Sequence, residues 1–262
     1  MSSELDPGAA GSAPISRFAG TLIDILDRVE YSRVSMDVAN NPVYRLRYEA
    51  YRRENFVPMN DQGVVVDDLD NAPNAMCFGV HIDGELVSSI RIHHLSPEHR
   101  TSPSMLTFPD ALGPLLDEGK SYIDPTRFTA DYEASLAYPA LPFLTLRIAV
   151  MAIEHFSTSG CLALVRPEHS AFYKRVFQAQ ELGGPRVYPG LTFPVHLYAS
   201  DAVASRAYVF GRFPFFRSTK AERDALFSGI DTVDFGRPVQ STSRVAYERA
   251  MALGGPLAIL AE

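Results

Sequence analysis

The stretch MCFGVHIDGELVSSIRIHHL, residues 76–95, sets the frame for the whole chain. Two runs of alternating side chains flank Asp83-Gly84, a dipeptide suited to a tight primed turn. The pattern predicts a β-hairpin, and a hairpin needs further strands and covering helices to bury its apolar face. Downstream, KSYIDPTRFTAD (120–131) has the pattern of a strand. LPFLTLRIAVMAIEHFSTSG (141–160) predicts a long apolar helix stopped by Gly160. CLALVRP (161–167) predicts a short buried strand, EHSAFYKRVFQAQ (168–180) a helix and GLTFPVHLYASD (190–201) a closing strand. Residues 96–121 read mostly as loop, with a short helical piece near Phe108 to Leu116.

Upstream, ISRFAGTLIDILDRV (15–29) has helical spacing, and YSRVSMDVA (31–39) alternates as a strand does. Pro42 opens an amphipathic helix, VYRLRYEAYRREN. Between that helix and the hairpin lies a polar, acidic loop, 56–75, of a length usually reserved for function. The expected fold class is α/β (α+β), a central mixed twisted sheet flanked by helices. The organisation reads as a flexible tail over 1–14, a main domain over 15–218 and a C-terminal helical extension over 219–262, with helices at TKAERDALF and TSRVAYERAMALG.

Composition narrows the function classes. The chain has 262 residues, 46% of them hydrophobic and 21% charged, enough for a core without staples. Two cysteines, Cys77 and Cys161, are too few for a disulfide framework or a Cys-rich metal site. A net charge of −7 argues against general nucleic-acid binding. No stretch has the length of a transmembrane helix, and the N-terminus lacks the basic-then-apolar order of a signal peptide, so a cytoplasmic protein is expected. His93-His94 looks metal-like, but neighbours on a strand point to opposite faces and no third ligand is apparent, so no metal site is expected.

The residues with chemistry to offer are acids and arginines. LRYEAY (46–51) puts Arg47 and Tyr51 on one helix face. DDLD (67–70) presents Asp67 and Asp70, GELVSSIRI (84–92) presents Arg91, and YIDPTRF (122–128) presents Asp124 and Arg127. A carboxylate can bind a cationic amine and accept or relay its proton. An oxyanion that develops needs fixed donors, which strand N–H groups supply. Arginines keep neighbouring acids ionised and can fork onto the carboxylate of a ligand. Each residue also has a plainer reading: a turn-capping acid pair for Asp67 and Asp70, an exposed helix arginine for Arg47 beside Arg45, Arg52 and Arg53, and a sheet-surface ion pair for Arg91.

These four motifs, in this order from about Tyr31 to Asp201, resemble the autoinducer-synthase branch of the GNAT-like acyltransferases. The resemblance is closer to long-chain N-acyl amino acid synthases than to acyl-homoserine lactone synthases. It implies a three-layer GNAT-like fold and transfer of a medium- or long-chain acyl group to the α-amine of an amino acid, directly and without an acyl-enzyme. Arg47, Tyr51, Phe56, Asp67, Asp70, Arg91, Phe128 and Thr129 would then bind substrate. Asp124 would assist deprotonation, with Arg91 and Arg127 organising the acids. The acid at position 124 is usually glutamate in lactone synthases, and the shorter aspartate favours a bridging water. AFYKRVF (171–177) resembles a GNAT A-x-Y-x-x-x-F helix, which makes Tyr173 a candidate acid for the departing thiolate; its plainer reading is a packed ring among Phe172, Val176 and Phe177.

The glycine-rich GNAT loop that cradles coenzyme A pyrophosphate is missing: YEASLAYPALP follows Asp131. No tightly bound cofactor is expected. The expected co-substrate is an acyl-phosphopantetheine thioester on an acyl carrier protein, with coenzyme A left open as donor. Arg147, Arg166, Lys174 and Arg175 are candidate docking residues for that acidic partner, against the plainer reading of solvated surface charge. Two alternatives remain. One is acyl-homoserine lactone synthesis from S-adenosylmethionine, made less apt by the absence of tryptophan, whose place Phe56 would take. The other is a non-catalytic acyl- or carrier-binding module.

Overall fold

The computed structural model describes residues 15–34, 41–189, 193–228 and 236–254. The tail over 1–14 and the ends of several expected segments lie outside them. The hairpin forms as expected. β2 (Ala75–Ile82) and β3 (Glu85–Leu95) join through Asp83 and Gly84, both with positive φ. Around it are β1 (Val29–Arg33), β4 (Tyr122–Ala130), β5 (Gly160–Val165), β6 (Gln180–Val187), β7 (Pro194–Asp201) and β8 (Val239–Gln240). Their order in one sheet is β6-β7-β5-β4-β3-β2-β1-β8. Among the described strands, only the β4–β5 pair is parallel.

The helices are α1 (Arg17–Leu26), α2 (Pro42–Arg53), α3 (Pro103–Thr107), α4 (Pro109–Asp117), α5 (Tyr132–Ala137), α6 (Leu141–Phe156), α7 (Ser170–Phe177), α8 (Ala202–Arg212), α9 (Lys220–Phe227) and α10 (Ser243–Ala252). Strand alternation assigns them to two faces. Ile90 and Ile92 of β3, Ile123 of β4 and Cys161 of β5 join the main core with Leu144, Ile148 and Met151 of α6. Leu95, Tyr122, Leu162 and Leu197 turn the other way, onto Phe108, Leu112 and Leu116 around α4. The sheet is thus the middle of three layers.

Several local expectations change. The long helix ends at Phe156, where Ser157 takes the left-handed conformation (φ 52°). Gly160 is instead the first residue of β5. A Cβ there would sit 2.1 Å from the Ser200 carbonyl oxygen, so glycine is required by strand approach rather than by a helix cap. β6 and α8 escape the sequence pattern altogether. β6 is an exposed edge strand containing Gly183, Gly184 and Pro185, residues that normally mark a turn. Residues beyond 218 add β8 to β1 and lay α9 and α10 against the main core.

Arg147, expected on a docking surface, is fully buried on α6. It donates to both carboxylate oxygens of Glu222 on α9, at 2.5 and 2.9 Å, and to the carbonyls of Phe215 and Arg217. Its flanking apolar residues carry it into the core, and burial of its charge is made tolerable by these partners. It offers nothing to an external carrier.

Candidate active site

On β3, Arg91 and His93 occupy alternate positions and so share the face opposite α6. Cys77 of β2 lies opposite Arg91 in the register. α2 and the short turn Asp68–Asn71 roof this patch. The turn is built by its own acids. Asp67 accepts from the Leu69 N–H, and Asp70 accepts from the Asp67 N–H at 3.0 Å, a reciprocal cap. The same carboxylates then turn inward. Asp70 receives Arg47 Nη1 at 2.8 Å and lies 3.1 Å from Arg91 Nη1. Asp67 receives Arg91 Nη1 at 2.5 Å on one oxygen and Arg127 Nη2 on the other. Arg91 Nε also donates to Thr126 Oγ1 at 3.2 Å. The capping role and the ion network are therefore one structure, and Arg47 is buried rather than exposed.

Burial alone would raise the carboxyl groups of Asp67 and Asp70. Arg91 and Arg127 at the first, and Arg47 and Arg91 at the second, overcome it and hold both below the ordinary carboxylate range. The network grades from inside to outside. Arg47 and Asp70 are sealed, whereas about a quarter of the side chains of Asp67 (27%) and Arg127 (25%) is open to solvent.

Arg127 reaches this face because β4 is irregular. Ser89 pairs with Thr129 and Arg91 with Thr126, so Ile90 alone faces both Arg127 and Phe128. That is a β-bulge. Arg127 sits in the left-handed region (φ 52°). Before the bulge, even-numbered residues face the network, as Thr126 shows. After it, odd-numbered ones do: Thr129 Oγ1 meets Ser89 Oγ at 2.6 Å. Arg127, three residues from Asp124, would point away in a regular strand.

β4 and β5 pair only at Tyr122–Gly160 and Ile123–Cys161. β4 continues to Ala130 and β5 to Val165, so the two strands part in a fork. The N–H and C=O groups of β4 that face β5 beyond Ile123 have no strand partner across it. Asp124 is the first β4 residue inside the fork. It is fully buried, and its two oxygens accept from the Ser104 N–H (2.9 Å) and Oγ–H (2.8 Å) at the start of α3. It is not the open carboxylate that direct or water-relayed proton uptake from a bound amine requires, which corrects the role expected for it.

Tyr173, on α7, lies on the other side of the sheet from the arginines, with Cys161, the last paired residue at the fork, in the same core. Burial, with Cys161 adding, pushes its phenol up to about 12. Burial likewise raises the thiols of Cys77 and Cys161, so neither is a ready thiolate. His93 and His94 lie on opposite faces, with His93 Nε2 3.0 Å from the Leu69 carbonyl and His94 stacked on Phe156.

The remaining candidates frame the mouth. Tyr51 lies under the Arg127 guanidinium, 5.5 Å from its ring centre. Phe56 packs between Tyr51 and Phe193. Tyr51, Phe56, Phe128 and Thr129 line a cleft of about 310 Å³ between α2, β4 and α5. Arg166 pairs with Glu168 and lies over Phe193; Lys174 lies over Tyr198; Arg175 is exposed. Four participants were not anticipated. Ser104 and Thr126 hold Asp124 and Arg91, Cys77 accepts from Arg47 Nη2 at 3.1 Å, and the Tyr188 phenol, raised by burial, feels the charges of Arg127, Asp67, Arg91 and Asp124. In the sequence, Cys77 stands out only as one of two cysteines and Tyr188 only as an aromatic among Gly183, Gly184, Pro185 and Pro189.

A mixed sheet split between two parallel strands and covered on both faces defines a GNAT-like fold. The chain belongs to the N-acyl amino acid synthase FeeM family, whose model matches residues 42–201. Among solved structures, it is similar to FeeM, an N-acyl amino acid synthase from uncultured soil microbes: TM-score 0.55 and 16% identity over 71% of this chain and 97% of that one. It is also similar to TofI, solved with an inhibitor and MTA (TM-score 0.51, 17% identity, 71% and 96% covered), and to the AHL synthase LasI (0.50, 15%, 68% and 93%). At these identities the likeness is one of fold. No curated protein sequence matches significantly. Among the described residues, no helix is long and apolar enough to cross a membrane.

Proposed function

We propose that this chain transfers a fatty acyl group from the phosphopantetheine thioester of an acyl carrier protein to the α-amine of an amino acid. The observation that carries this reading is the β4–β5 fork, which opens beside an arginine–carboxylate network on one face and Tyr173 on the other. An extended thioester arm fits a gap edged by unpaired strand groups. The N–H groups of β4 that face the gap are donors for the carbonyl oxygen as it gains charge.

The acceptor enters from the mouth bounded by Tyr51, Phe56 and Phe128. Asp67, kept ionised by Arg91 and Arg127, attracts the ammonium, and the Arg127 guanidinium receives the acceptor's carboxylate. A carboxylate held so acidic is a poor base, so it binds and orients while solvent takes the ammonium proton. The free amine attacks the thioester carbon, the C–N bond forms and the C–S bond breaks. The nitrogen's surplus proton passes to solvent, the thiolate takes the Tyr173 proton, and solvent returns a proton to the phenolate before the next turnover. Asp124 is a positioning residue that pins the start of α3 at the fork through Ser104. Arg166, Lys174 and Arg175 supply local positive charge for an acidic carrier.

The test is to offer purified protein an acyl carrier thioester or an acyl-coenzyme A, each with a panel of amino acids and with S-adenosylmethionine, and to read products by mass spectrometry. N-acyl amino acids formed faster from the carrier thioester are expected. A lactone from S-adenosylmethionine, or binding of the carrier without turnover, would overturn the proposal.

A further inference from the structure

Between the end of α6, which lies in the family-matched segment, and α8, α9 and α10, which lie beyond it, is a cavity of about 220 Å³. Its wall carries Arg206, Arg217, Lys220, Arg223 and Arg249 against a single acid, Glu154. That acid is already committed, because Arg206 holds both its oxygens, at 3.0 and 2.9 Å. Lys220 is paired with Asp224 at 2.5 Å. Arg217 stands apart. It is 94% buried, since only 6% of its surface is exposed, and its Nε has no hydrogen-bond partner among the described residues. Its Nη2 reaches only the Phe210 carbonyl, at 3.3 Å, and its guanidinium lies 5.1 Å from the Phe210 ring centre. No carboxylate lies within ion-pair distance of it among the described residues. Arg223, at the other side of the wall, directs Nη1 onto Ser218.

A buried guanidinium with no direct ion pair is costly to keep charged, and an entering anion that meets it recovers that cost. Burial first, and then the nearby Arg206, disfavour the charged form of Arg217, and the field of Glu154 and Tyr247 offsets this only in part. The planar fork of a guanidinium matches oxygens spaced as in a phosphate, and an excess of cations favours a dianion over a carboxylate. We propose that this cavity is a binding site for a small phosphate-bearing anion, which would tie α8, the 217–220 turn and α10 together. The site shares no residue with the fork and does not depend on the acyl-transfer reading.

The experiment is calorimetric titration of the full chain with inorganic phosphate, glycerol 3-phosphate and acetate at constant ionic strength, alongside thermal melting. Saturable binding of phosphate or its ester is expected, with a raised melting temperature and weaker binding of acetate. The tighter of the two phosphates names the source. Arg217→Met, which keeps the buried volume, and Arg223→Gln are each expected to weaken binding roughly tenfold or more, as loss of a charged hydrogen bond does. Should Arg217→Met fail to fold, Arg223→Gln decides. Acyl transfer by Arg223→Gln should be unchanged. Non-saturable binding by the wild type, acetate binding as tight as phosphate, or full affinity in Arg223→Gln would overturn the assignment.

Discussion

Arg147 and Glu222, 75 positions apart, form a two-pronged ion pair sealed from solvent between α6 and α9. Glu222 also accepts from the N–H of Thr242 at 3.0 Å and from its hydroxyl, so one carboxylate joins the central helix to both helices beyond residue 218. Removing one partner leaves a buried charge alone. Glu222→Ala is therefore expected to lower stability by about 3–5 kcal/mol in urea unfolding. Arg147→Met combined with Glu222→Leu should cost much less than the single change, since no charge is stranded. Equal losses in the single and double variants would mean that shape, not charge, holds this junction.

Asp67 and its arginines make a pH prediction. The folded carboxyl group lies below the unfolded value of about 3.9, so the network's contribution to stability is fully present above that pH and fades as pH falls below it. Asp67→Asn should flatten that acid decline while leaving unfolding near pH 7 still cooperative. Because Asp67 stays ionised from pH 5 to 8, any loss of wild-type turnover in that window must come from another group, the acceptor amine first. Asp67→Asn should lower kcat/KM roughly a hundredfold, mostly through KM for the amino acid. A variant with unchanged KM for the acceptor would remove Asp67 from the binding role.

The sheet, the long helix and the acid–arginine set were legible from period and motif; the geometry that joins them was not. Two bulges explain why. A two-residue turn at Asp83-Gly84 would set Cys77 opposite Ile90. The irregularity near Val80 and His81 slips the register by one, so Cys77 faces Arg91 and joins the network. The bulge at Arg127 similarly brings a residue to the face that alternation denies it. Neither leaves a mark in hydrophobic period. Arg147 was misread for a related reason. A buried arginine can be recognised only through its acid, and Glu222 lies 75 residues downstream in a helix that looks solvated by composition.

Cys161 sits at the fork, where a nucleophile forming an acyl-enzyme would be placed, yet burial, with Asp124 adding, raises its thiol. Direct attack by the amine predicts that Cys161→Ser keeps kcat within about threefold, a change under 1 kcal/mol in barrier. No acylated protein should accumulate in a rapid-quench experiment with acyl carrier thioester alone. In contrast, Tyr173→Phe, which keeps the ring and removes the proton, should lower kcat by about a hundredfold if the tyrosine serves the leaving thiolate. A burst of acyl-enzyme, or full activity in Tyr173→Phe, would contradict these assignments separately.

Arg127 lets backbone and side chain be tested apart. Its left-handed φ disfavours any residue with a Cβ, typically by about 1 kcal/mol relative to glycine. Its guanidinium binds Asp67 and covers Tyr51. Arg127→Gly and Arg127→Ala both delete the cation, but only alanine retains the strained conformation. Glycine is expected to be the more stable of the two by about 1 kcal/mol in thermal or urea unfolding, with some of that gain offset by its looser unfolded chain. Both should lose acceptor binding alike, because each leaves Asp67 with Arg91 alone and frees the mouth of its outer cation. Arg127→Lys restores the charge without the fork and should recover only a small part of kcat/KM. If glycine and alanine proved equally stable while differing in activity, the bulge rather than the guanidinium would be the functional element at this position.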